Sequence, residues 1–198
     1  MSSPSTRRIP LSDIAATPWK NGGGITREIA AGPPPGAGAG WGWRVSLAEV
    51  ARDGPFSLFP DTDRVIAVID GPGMDLLRPD GSRLALEPFA PLRFAGEEAL
   101  DGRLREGRAV RDLNVMVLRR HFTAAMEIRD GPCALAGEPG DGGCLLVHNL
   151  AGGCRVQVDA RDSHDLAPAE TLVHEGRGRL DIRLAEAGRA AVIRIAPR

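Results

Sequence analysis

Trp19-Lys20-Asn21-Gly22-Gly23-Gly24-Ile25-Thr26-Arg27-Glu28 sets an ammonium, an amide, a hydroxyl, a guanidinium and a carboxylate around three consecutive glycines. Glycine visits φ > 0 freely and has no Cβ, so such a loop turns sharply and can offer backbone N–H groups to a ligand. Lys20 is the only lysine of the chain, and every other basic side chain is arginine. The two cations grip anions differently, so an ammonium at this one place is a chemical clue. No Gly-Lys-Ser/Thr follows the glycines, which excludes a nucleotide phosphate loop. The plain alternative is a glycine-rich turn whose charges are merely solvated.

More polar residues lie on separate segments: Arg44 with Ser46, Arg64, and Asp112 with Asn114. Arg44/Ser46 and Asp112/Asn114 are i,i+2 pairs, so each shares one strand face, opposite Trp43, Val45 and Leu47 or Leu113, Val115 and Val117. The inward face of a small barrel is ordinarily apolar. Either these pairs face water, or the large apolar face packs against a second sheet or a second subunit, as in a homodimer, while the polar pairs line a pocket. In the pocket reading they join Lys20, Asn21, Gly22, Gly23, Thr26, Arg27 and Glu28 around a small carboxylate or similar anion, which arginine holds bidentately. Arg44, with Lys20 and Arg27 nearby, is the expected carboxylate holder.

Other chemistries find less support. The four histidines, His121, His148, His164 and His174, all lie beyond residue 120, and no His-X-His occurs, so neither a metal nor any other cofactor is expected. No Gly-X-Ser-X-Gly elbow is present. Cys133, Cys144 and Cys154 are odd in number and lack Cys-X-X-Cys spacing, which argues for reduced, buried thiols. A net charge of −1 provides no electrostatic footprint for nucleic acid or an anionic membrane. The N-terminus lacks the apolar core of a signal peptide, and no apolar run approaches the length of a bilayer span. The expectation is a cytoplasmic protein without nucleic-acid or membrane partners.

These residues need strands to position them. Twenty-five glycines and sixteen prolines suit short strands joined by turns. Alternation marks Ile25–Ala30, Trp41–Val50 and Val110–Leu118, and the continuous apolar run Arg64–Ile69 reads as a central strand. Short strands are expected over 74–78, 82–87, 91–94 and 99–105. A second series covers 122–128, 144–148, 154–158, 171–175, 179–184 and 190–195. Residues 31–40 read as a low-complexity loop, and 11–16, with Ser12 as cap, as a single helical turn. Two series of short strands predict an all-β chain of two jelly-roll modules, residues 1–118 and 119–198.

The motifs WKNGGGITRE, WRVSLAEVARDGPFSLFP and RDLNVM resemble those of the HutD/Ves family, over roughly the first 116 residues. The resemblance implies a bicupin associated with histidine utilisation and a ligand such as urocanate or a formylated or formimino-glutamate. The family usually follows the Phe-Pro that ends the second of these motifs with glycine, where this chain has Asp61. Two functions fit: a binding module that modulates histidine catabolism, or a metal-independent isomerase or hydrolase. In the enzyme reading Lys20 or Glu28 is the acid/base, and it should sit perturbed in a closed cleft.

Overall fold

The structure, a computed structural model, describes residues 3–36 and 40–198. Residues 37–39 of the expected 31–40 loop lie outside the described residues. The described chain is almost wholly β, with two short 3-10 turns at Leu11–Asp13 and Arg105–Gly107. Among the described residues no helix is long and apolar enough to cross a membrane.

The chain divides into two compact units, one running from Ile14 to His121, the other from Phe122 to Arg198 together with the N-terminal segment through Asp13. The first unit has a six-stranded sheet in the order Thr17–Pro18, Gly24–Gly32, Trp43–Val50, Val110–Leu118, Thr62–Asp70 and Leu92–Ala95. Its four-stranded sheet runs Gly54–Pro55, Asp101–Leu104, Met74–Leu77 and Arg83–Leu86. Val50, Ile66, Val68, Met74, Leu76, Leu86, Phe94, Leu100 and Val110 form its core. The other unit repeats the plan. Ser5–Pro10, Glu170–Glu175, Cys144–Ala151, Arg189–Pro197 and Phe122–Asp130 make a five-stranded sheet, and Cys133–Gly137, Leu180–Leu184, Cys154–Val158 and Asp162–Leu166 a four-stranded one.

The eight strands from Trp43 to Leu118 and the eight from Phe122 to Pro197 connect and pair identically, the arrangement of two jelly rolls. A β-bulge fixes the correspondence between them, falling at Arg111/Asp112 in the first and Asn149/Ala151 in the second. Residues 1–13 were expected with the first module, yet Ser5–Pro10 pairs with Glu170–Glu175.

Two strands of the second series had no sequence signal. Cys133–Gly137 (CALAG) lacks large alternating side chains, and Asp162–Leu166 (DSHDL) is a mostly polar edge. The helical turn expected over 11–16 is confined to Leu11–Asp13. Asp61 takes φ +57°, a left-handed conformation that glycine, the residue the resemblance leads one to expect there, adopts more readily. The three cysteines are free thiols, and burial pushes Cys154 up to about 11 and raises Cys144 as well.

Candidate functional site

On the inward face of the six-stranded sheet, side chains align in rows across the Trp43–Val50, Val110–Leu118 and Thr62–Asp70 strands. Arg44, Met116 and Arg64 form one row; Ser46, Asn114 and Ile66 the next; Ala48, Asp112 and Val68 the third. The rows change character along the strands. Toward Val50, Ile66, Val68 and Val110 they enter the apolar core, while toward Arg44 and Arg64 they border a cavity of about 740 Å³. The opposite face, with Trp43, Val45, Leu47, Val65, Leu113, Val115 and Val117, is buried too. This face reversal lets polar residues sit inward without leaving their large neighbours in water.

Arg64 is the most constrained group of the site. It is only 6% exposed, and its guanidinium lies 5.3, 5.7 and 4.9 Å from the ring centroids of Phe56, Phe59 and Phe94. Phe94 is its cross-strand partner, whereas Phe56 and Phe59 come from the loop after Gly54–Pro55. The negative faces of aromatic rings attract a cation, which compensates part of its lost hydration. Nε donates to Asn114 Oδ1 at 3.4 Å, and among the described residues the two Nη groups have no hydrogen-bond partner. Burial draws the guanidinium down to about 10, against the Asp112 charge that raises it, and nearby Arg44 lowers it further.

Asp112 is 2% exposed, and burial pushes its carboxyl up to about 7 even though Arg64 pulls the other way. The two do not approach to ion-pair distance.

The glycine loop forms the rim. Trp19 N donates to Gly24 O at 2.9 Å, Gly22 N to Trp19 O at 3.0 Å, and Gly23 N to Asn21 Oδ1 at 2.9 Å. The amides of Gly22 and Gly23 therefore hold the turn together and are not offered to a ligand, unlike the sequence expectation. The glycines serve conformation and clearance instead. Gly22 has φ +67°, and a Cβ on Gly24 would lie 2.2 Å from Glu49 O and 3.2 Å from the Trp19 ring. Gly24→Ala is thus expected to cost about 1–3 kcal/mol through overpacking. Gly22→Ala, in open space, should cost about 1 kcal/mol through its positive φ alone. Thermal unfolding of both variants checks the ranking.

Of the expected site residues, Lys20, Asn21, Gly23, Thr26, Arg44, Ser46, Arg64, Asp112 and Asn114 line the cavity; Gly22, Arg27 and Glu28 do not. Arg27 pairs with Glu49 at 2.6 Å, and Glu28 accepts from Arg44 Nε at 2.7 Å. Arg44 thus reaches the cavity with its Nε held in an ion pair, whereas Arg64 has no ion-pair partner among the described residues and hydrogen-bonds only to Asn114. Glu28 is half exposed and Lys20 exposed, so neither sits in a closed cleft as an acid/base of this chemistry would. Trp19, Arg52, Asp53, Phe56, Phe59 and Met116 also line the cavity and were not among the expected residues. The aromatic pair was readable only as turn packing, because sequence does not say which loop folds over which strand. Among the described residues, no group of three or more His, Cys, Asp or Glu side chains is placed to hold a metal.

The equivalent rows of the second jelly roll are built differently. By the bulge correspondence, Ala125, Arg194 and Leu145 stand for Arg44, Met116 and Arg64, while Val192 stands for Asn114 and Ala190 for Asp112. Both buried charges of the first unit are aliphatic there, and the cavity bordered by Ala125, Val192 and Arg194 is only about 240 Å³.

Comparison with known proteins places this arrangement. An uncharacterized 21.2 kDa protein from the hutC 3' region of Pseudomonas putida is 32% identical over 190 residues, covering 96% of this chain and 97% of its own. The protein Ves of Cronobacter sakazakii is 37% identical over 112 residues, 57% of this chain and 60% of its own. The structure of HutD from Pseudomonas fluorescens SBW25, in a formate condition, superposes with a TM-score of 0.81 at 28% identity, over 98% of this chain and 100% of that one. A cupin 2 conserved barrel domain protein from Leptotrichia buccalis shares the fold, with a TM-score of 0.61 at 11% identity over 97% of this chain and 96% of its own. The family model HutD matches residues 11–192, and with these relatives it establishes that the chain is a bicupin belonging to the HutD family.

Proposed function

We propose that the protein is a binding module that holds a small carboxylate in the cavity of the Ile14–His121 unit and so modulates histidine catabolism, without metal chemistry. The observation that carries this reading is Arg64: a guanidinium buried against three phenylalanines, with both Nη groups unpaired among the described residues and bordering the cavity. A buried cation costs several kcal/mol unless an anion or acceptors meet it. A carboxylate accepting both Nη groups supplies what the protein leaves out.

The charges around the cavity agree. Lys20, Arg44, Arg52 and Arg64 are cationic, against Asp53 and Asp112. Asp53 is itself engaged by Leu104 N and Arg103. A site with this excess attracts anions and raises their local concentration. The connection to histidine degradation rests on the P. putida relative, named for its place in the hutC 3' region, and on family membership. Urocanate and N-formyl- or N-formimino-glutamate are the ligands this reading favours, in a cytoplasmic setting.

One observation favours a second reading, a metal-independent isomerase or hydrolase. Asp112 has its pKa moved to about 7 inside a cavity, which suits an acid/base group better than Lys20 or Glu28 does. Calorimetry with urocanate and N-formylglutamate, together with chromatography of the same mixtures after incubation, separates the two. Binding with unchanged ligand supports the module, and turnover lost in Asp112→Asn supports the enzyme. Arg44→Ala is expected to weaken binding by about tenfold, the effect of one charge-assisted hydrogen bond. Binding of neither ligand at millimolar concentration would overturn the carboxylate reading.

A further inference from the structure

We infer that the ligand of this cavity is bipolar: opposite its carboxylate it carries an N–H donor, and Asp112 accepts that donor. The inference rests on the carboxylate reading of Arg64 and adds the chemistry of the other end.

The sheet register sets the spacing. Arg64 pairs with Met116 and Val68 with Asp112, so the rows of the two charged residues are four residues apart on both strands. At about 3.3 Å per residue their Cα atoms lie roughly 13 Å apart along the sheet. The two side chains feel each other electrostatically yet form no ion pair. Both line the same cavity, with Asn114 and Ser46 in the row between them. A buried carboxyl whose role was to neutralise Arg64 would gain most by direct contact, because both groups have paid for dehydration. This pair instead forms no ion pair across the cavity that both residues line.

Each head group is also left with unused hydrogen-bonding capacity facing the gap. Arg64 has two Nη groups to donate, and among the described residues no hydrogen bond engages the Asp112 carboxyl. A molecule with acceptors at one end and a donor at the other satisfies both. A simple anion satisfies Arg64 but faces an unpaired carboxyl, which is the more costly alternative. The second jelly roll supports this coupling, since the positions of Arg64 and Asp112 are both aliphatic there, Leu145 and Ala190. An N–H group on an amide or an azole ring, a few bonds from a carboxylate, fits the gap.

The test compares probes that differ in the donor. Trans-urocanate is matched with trans-cinnamate, which keeps the acrylate and replaces the imidazole by phenyl. N-formylglutamate is matched with glutarate, which lacks the amide. Isothermal calorimetry is run on wild type, Arg64→Met, Asp112→Ala and Asp112→Asn, the last guarding against an alanine variant that fails to fold. In whichever pair binds wild type, the donor-bearing probe is expected to bind at least about tenfold more tightly, one hydrogen bond to a charged group. That advantage should fall to within about threefold in Asp112→Ala and shrink in Asp112→Asn.

Affinity should also report the charge on Asp112, whose charged companions around the cavity are Lys20, Arg44, Arg52, Asp53 and Arg64. Donor-free anions should bind less tightly as pH rises from 6 to 8, while donor-bearing ones hold their affinity. Equal binding within each pair, lost throughout in Arg64→Met, would overturn the donor and leave the carboxylate reading standing. Failure of all four probes would overturn both.

Discussion

An Arg64→Met protein is expected to lose carboxylate binding by about a hundredfold or more and yet to melt no lower than the parent. Two hydrogen bonds from a guanidinium to a carboxylate contribute about 1.5–3 kcal/mol each, and every 1.4 kcal/mol is a factor of ten. The stability half follows from what surrounds the side chain. Methionine has similar length, no charge to dehydrate, and a sulfur that packs well against Phe56, Phe59 and Phe94, the rings that now face the guanidinium. Replacing a buried charge with a well-packed apolar group is often neutral or stabilising. Calorimetry and thermal unfolding together decide. A large fall in melting temperature with affinity intact would mean that Arg64 ties the Phe56–Phe59 loop to the sheet and serves no ligand. Arg64→Lys should recover only part of the binding, because an ammonium lacks the planar fork.

Asp112 makes the unliganded protein less stable as pH rises from about 4 to about 7. In this window the folded carboxyl keeps its proton, with its pKa raised to about 7, while the unfolded chain releases its own near the ordinary value of 3.8. The folded state then binds more protons than the unfolded state, so raising the pH favours unfolding. The stabilisation is complete below about pH 4 and lost once pH passes 7. A difference of about three pKa units corresponds to something on the order of 4 kcal/mol across the window. Asp112→Asn should remove this slope. Surface carboxylates held low by arginine, such as Glu87 and Glu97, act at lower pH and with the opposite sign. His148 and His174 are present in both proteins and cancel in the difference. Chemical denaturation at pH 5, 6, 7 and 8 measures the slope, and parallel curves for wild type and variant would show that Asp112 ionises normally.

The strands that carry the site were legible because their alternation is strong. Asp112 and Asn114 stand out between Leu113, Val115 and Val117, and the reversal that aims them inward was one of two ways to satisfy that pattern. Arg64 was harder to weigh. It opens an apolar run, and nothing in the run says that phenylalanines from a loop and a neighbouring strand will enclose it. Arg27 and Glu28 lie in the same motif as Lys20 and Asn21, yet each reaches diagonally across to the neighbouring strand, Arg27 to Glu49 and Glu28 to Arg44. Local spacing gives the face a residue occupies, but the cross-strand register decides whether a charge is spent on a neighbour or left for a ligand. The same limit explains the two strands missed in the second module, whose small or polar residues are strands only because of the strands beside them.

The pairing of Ser5–Pro10 with Glu170–Glu175 also bears on how the molecule is made. Thr6 Oγ1 lies 2.8 Å from His174 Nδ1, a contact between residues 168 apart in the chain. During synthesis the segment from Ile14 to His121 is continuous and can fold as soon as it emerges, as domains commonly do. Ser5–Pro10 is made well before its partner Glu170–Glu175 and must wait for it. Until it docks, Glu170–Glu175 presents an open edge, the kind of surface on which β proteins pair wrongly. The nascent chain thus carries its own edge cover upstream of both jelly rolls, held in reserve while they are translated.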